Sequence, residues 1–140
     1  MDFAQQIVSS LSQTKSYLTG GFRSAEGMVK ALDTIDGVGL ARPLCQEPFL
    51  CSQILAQKTA AALTPLVNQY DFGLTAVAAC VQMRQMGHNL SPVDLSTLQN
   101  VDVLTQAIQD WAKRKQQDRS QDAIYPPVLP GYKVPIQVLS

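Results

Sequence analysis

The chain has 140 residues, 46% of them hydrophobic and 16% charged, with eleven acidic and eleven basic side chains in balance. That length suits one domain with a real core, and zero net charge excludes a strong electrostatic pull toward nucleic acid or an anionic membrane. Sixteen glutamines supply polarity without charge; so weakly charged a surface does little to keep copies apart, and self-association or a standing partner is expected.

In chain order, the spacing of Ala4, Ile7, Val8, Leu11 and Leu18 predicts a helix over residues 2–18, capped by Asp2 and stopped by Gly20-Gly21. Ser24 is the next expected N-cap, with Glu26 in the first turn and Met28, Ala31, Leu32 and Ile35 on the inner face. Residues 36–48 carry two glycines and two prolines and are expected to be an irregular connection. Helical spacing resumes over residues 49–63. Thr64-Pro65 opens a central helix over residues 65–86, apolar nearly all round around Leu74, Val77 and Val81, with a potential break at Asp71-Phe72-Gly73. Gly87 should end it, and Ser91-Pro92 should open the next element. The last helix is expected over residues 98–119, its stripe being Val101, Leu104, Ala107, Ile108 and Trp111. No strand-type alternation precedes the tail.

The tail differs from everything before it. "YPPVLPGYKVPIQVLS" (residues 125–140) holds four of the eight prolines and one charge. Proline locks it toward polyproline II or edge-strand geometry, and its aliphatic and tyrosine side chains need cover. The predicted organisation is an all-α bundle of four to six helices over residues 1–120, with an extended C-terminal arm over residues 121–140.

Side chains suited to chemistry are sparse. His88, the one histidine, follows Gly87 and reads as a helix C-cap. Cys45 and Cys51 lack the spacing of a structural zinc pair, and Cys80 sits among alanines as a small hydrophobe. An odd cysteine count argues against a disulfide framework. "GVG" at residues 37–39 lacks a third glycine and a preceding strand and reads as a turn, not a phosphate cradle. Met83 and Met86 read as core filler. No cofactor or metal is expected, and no catalytic set emerges.

The protein is therefore expected to be non-enzymatic: a structural or assembly component, of the kind found in phage particles and secretion machines, that forms homo-oligomers through its helical body and arm. The arm's protein-binding residues would be Tyr125, Val128, Leu129, Tyr132, Val134, Ile136 and Val138. One alternative is an adaptor or inhibitor of a different protein. Another is a nucleic-acid-binding regulator using Trp111, Lys113, Arg114, Lys115 and Arg119, although bases also suit a helix C-terminus. The N-terminus lacks the basic and apolar regions of an export signal. The longest uncharged apolar stretch falls short of the roughly 20 residues that span a bilayer, so a cytoplasmic or particle-assembled protein without a membrane span is expected.

Overall fold

The computed structural model describes residues 6–117 and 125–129. The chain divides into two compact units, Met1–Leu63 and Thr64–Ser140.

In the first unit, residues 6–8 are helical and the helix goes no further along the chain. The Ser9 and Ser10 hydroxyls donate to the carbonyls of Gln6 (3.0 Å) and Ile7 (2.7 Å), a local alternative to the helical ladder. Leu18, which its spacing assigns to that helix, instead lies in a strand. Strand β1 (Tyr17–Thr19) pairs in parallel with β2 (Gly37–Gly39) in the register Tyr17–Gly37, Leu18–Val38 and Thr19–Gly39. Parallel strands need a crossover, and here it contains helix α1 (Ala25–Leu32). Ser24 caps α1 as its sequence predicts, accepting from Gly27 N–H at 3.1 Å. Ala31 and Ile35 are the buried side chains that α1 and its exit contribute.

Asp36 ties the amino ends of the two strands together. Its carboxylate accepts from Ser16 N–H (2.9 Å) and Lys15 Nζ (2.7 Å). The Asp36 and Gly37 amides donate to Ser16 O at 2.9 and 3.1 Å. Beyond β2 come two short helices, α2 (Arg42–Gln46) and α3 (Leu50–Leu55). Helix α3 stops well before residue 63 because Gln57 adopts a left-handed conformation (φ 57°), with Gln57 N–H donating to Ile54 O and Lys58 N–H to Gln53 O. This is a Schellman turn built on glutamine, so the usual glycine signal is missing. The chain then returns to β1's exit: an antiparallel bridge joins Ser24 to Ala61, with Ala25 N–H donating to Ala60 O (2.8 Å) and Ala62 N–H to Arg23 O (2.7 Å).

The second unit is helical. Helix α4 (Phe72–Gly87) starts at the potential break and not at Thr64-Pro65, where the sequence places its opening, with Asp71 Oδ1 accepting from Leu74 N–H at 2.9 Å. It ends with His88 as C-cap and Asn89 left-handed (φ 57°), Leu90 N–H donating to Gln85 O. Asparagine, rather than Gly87, makes the turn. Residues 88–96 form no regular element, and α5 (Leu98–Gln117) comes next. Val67, Ala78, Val81, Val93, Leu95, Leu104 and Leu129 form this unit's core. Gln82 Nε2 donates to Val93 O and Val93 N–H to Gln85 Oε1, each at 2.9 Å, so α4 holds the backbone of the irregular segment from both sides.

The architecture is mixed α and β, which corrects the all-α bundle expected from sequence. The strand pair is three residues deep and its second strand is glycine–valine–glycine, too short to show alternation. No helix among the described residues is long and apolar enough to cross a membrane.

The Asp36 bridge has a definite pH signature. The Lys15 and Ser16 hydrogen bonds hold the Asp36 carboxyl below its ordinary 3.8, and the same pairing raises Lys15 above 10.5. Asp36 thus contributes stability in full above its ordinary value and loses it as pH falls through the lowered folded value. Lys15 contributes in full below its ordinary value and loses it as pH rises through the raised one. Both groups lie at the surface, so the effect is local. Amide protection of Leu18 and Val38, corrected for intrinsic exchange, should fall below about pH 4 in the native chain and stay flat in Asp36→Asn; identical profiles would count against the bridge.

A candidate anion site at the carboxyl ends of the strand pair

Glycine stands opposite Tyr17 and Thr19 of β1, while Val38 pairs with Leu18. A Cβ on Gly37 would lie 2.5 Å from the Tyr17 ring, and one on Gly39 would collide with the Thr19 side chain. The strands therefore run side by side only because β2 alternates glycine with valine. Both strands leave the sheet at the same end, β1 into Gly20-Gly21-Phe22-Arg23 and β2 into Leu40-Ala41-Arg42.

Gly20 (φ 120°) and Gly21 (φ 76°) both take conformations that side chains disfavour, which turns the backbone sharply after β1. The Gly21 and Phe22 amides donate to no other described residue. Arg23 is partly buried beside them, and its Nη1 donates to Leu63 O at 3.0 Å. Burial pushes the Arg23 guanidinium below its ordinary value, the nearby Arg42 charge adds to that push, and Glu47 opposes it. The Arg23 and Arg42 charges thus oppose one another at one strand end, a repulsion that an anion there would relieve. Free amides after a glycine turn, flanked by guanidiniums, suit phosphate oxygens. The carboxyl ends of parallel strands are where α/β folds seat such ligands.

The residues that the sequence singles out lie in the other unit. Leu129 is 2% exposed and packs in the core of its own unit, while Tyr125 is 63% exposed. Arg84 lies 5.6 Å from the Tyr125 ring centroid and donates to Pro126 O. Val128 is half-buried. Tyr132, Val134, Ile136, Val138 and Arg119 fall outside the described residues. At the end of α5, Lys115 lies 5.2 Å over the Trp111 ring, Lys113 pairs with Asp110 at 3.6 Å, and Arg114 Nε donates to Asp110 O. Each of these cations already has a partner on its own helix.

Gly20, Gly21, Arg23 and Arg42 do not stand out in the sequence, where the glycine pair has the look of a helix stop and "GVG" that of a turn. The available signal is the recurrence of glycine followed within three residues by arginine, in "YLTGGFR" and "GVGLAR".

No family model matches the chain. It is 54% identical over 138 residues to the NADH-dependent flavin oxidoreductase nadA of Aspergillus parasiticus, a match that takes in 99% of this chain and 31% of that protein. The chain thus spans about a third of its relative's length. This likeness overturns the expectation of a non-enzymatic structural or assembly protein. In a cofactor enzyme the cofactor carries the hard chemistry, so a protein segment that holds it need not show a catalytic set.

The fit at the sheet is directly testable. Gly39→Ala should destabilise the first unit by crowding Thr19, and Thr19→Ala should recover part of the loss. A double-mutant cycle in urea with no coupling between the two positions would show that the strands do not pack this closely.

Proposed function

We propose that the chain contributes the flavin-phosphate site of an NADH-dependent flavin oxidoreductase, with Arg23, Arg42 and the Gly21 and Phe22 amides receiving the phosphate. The observation that carries this reading is that two mutually repelling arginines, and two amides with no acceptor among the described residues, follow the same end of a parallel strand pair. The name borne by the relative supports it, since the match runs through both strands and both loops. A two-stranded parallel sheet with Tyr17 73% exposed on it is also more in keeping with a piece of a larger sheet than with an isolated one.

The site fits a flavin nucleotide by its donor set. A phosphate dianion matches two guanidiniums in charge, and the glycine turn lets backbone come close without a Cβ in the way. A bound flavin supplies the two-electron redox chemistry. The residues of this chain would bind and orient it: Arg23 and Arg42 would neutralise the phosphate, and the Gly21 and Phe22 amides would receive its oxygens.

Riboflavin and riboflavin 5′-phosphate differ only in the group this site would hold. Titrated into the 140-residue chain and followed by flavin fluorescence, the phosphate ester should bind at least about tenfold more tightly, as charge-assisted hydrogen bonds to phosphate imply. Arg23→Gln and Arg42→Gln should each remove much of that preference. Equal affinities for the two flavins would sink the assignment.

A further inference from the structure

Leu63 stands at the centre of an arrangement that reaches the arginine of the anion site. Its N–H donates to Glu47 Oε2 at 2.7 Å, and its C=O accepts from Arg23 Nη1 at 3.0 Å. One peptide segment is thus gripped by a carboxylate on one side and by the site's arginine on the other. The same segment is sewn to the loop after β1 through the Ser24–Ala61 bridge and the bonds Ala62 N–H to Arg23 O and Ala25 N–H to Ala60 O. Glu47 is the C-cap of α2, the helix that begins with Arg42. It therefore belongs to the β2 exit while holding a segment fastened to the β1 exit.

We propose that Glu47 is a positioning residue for the anion site, pinning the Leu63 segment so that Leu63 O aims Arg23 while the Glu47 charge tempers the pull of the two arginines on the bound phosphate. The proposal rests on the phosphate reading of the strand end. It gives Glu47 two roles of opposite sign. As a hydrogen-bond acceptor it tightens binding by holding Arg23 in place, and as a negative charge it loosens binding by opposing the anion. With Arg23, Arg42 and Glu47 together, the cluster carries one net positive charge, so a dianion held there is not over-neutralised and can leave.

The two roles come apart by substitution. Glu47→Gln keeps an oxygen to accept from Leu63 N–H and removes the charge. Glu47→Ala removes both. Calorimetric titration of the full chain with riboflavin 5′-phosphate should find Glu47→Gln binding about threefold more tightly or better, the order expected for one unit charge removed near a partly exposed site. That gain should shrink as salt is raised. Glu47→Ala should bind about tenfold more weakly, the order expected when an ordering hydrogen bond is lost. A merely structural role would move both variants in the same direction, and that result overturns the proposal, as would no change in either. If Glu47→Ala does not fold, Glu47→Gln decides alone: tighter binding supports the proposal, and unchanged or weaker binding refutes it. Arg23→Gln and Arg42→Gln are measured alongside. If they bind as the native chain does, the phosphate reading falls and takes the proposal with it; if they weaken while the Glu47 variants fail the pattern, the proposal alone is wrong.

Discussion

Close parallel pairing of Tyr17–Thr19 with Gly37–Gly39 is the constraint on which the first unit depends. The in-register fit exists because glycine faces the Tyr17 ring and the Thr19 side chain. Once the strands are that close, both leave the sheet at the same level, and their exit loops are set side by side. Arg23 and Arg42 become neighbours by this route, although the crossover and α1 separate them in sequence. The bonds among Lys15, Ser16 and Asp36 fix the register from the amino end. The carboxyl end is left to the glycine turn and the arginines.

A cluster of like charges costs stability unless something offsets it. Here the offset is distributed. Leu63 O takes one Arg23 donor, and the Glu47 carboxylate stands close enough to counter the guanidinium. The segment around residues 60–63 therefore belongs to the site's support as much as to the connection between units. Its geometry follows from the left-handed Gln57, which turns the chain back from α3 toward the β1 exit. A hydrogen-bonded backbone segment is a stiffer brace for an arginine than a second mobile side chain would be.

The helices of the second unit are legible in part: α5 carries a long periodic stripe, and α4 falls largely within the expected helix over residues 65–86 but starts at the Asp71 cap rather than at Thr64-Pro65. Helix ends are harder. Gln57 and Asn89 make left-handed turns that Gly, the usual marker, would have flagged, whereas Gly87 lies inside the last turn of α4. The strands are illegible for a different reason. Three residues give no period, and "GVG" has the composition of a loop. Its glycines are there for the neighbouring strand's side chains, a tertiary demand that local propensity cannot express. The same blindness hides the site. Arginine after glycine carries little information alone, and its meaning comes from a partner loop that only the parallel pairing supplies.

Whether this strand end binds anions can be read from the backbone amide shifts of the 15N-labelled chain during titration with inorganic phosphate. Saturable shifts concentrated at Gly20, Gly21, Phe22, Arg23 and Arg42, fading as chloride is raised, are the expected result. Shifts confined to the Lys113–Lys115 end of α5, or spread thinly without saturation, would contradict an anion site there.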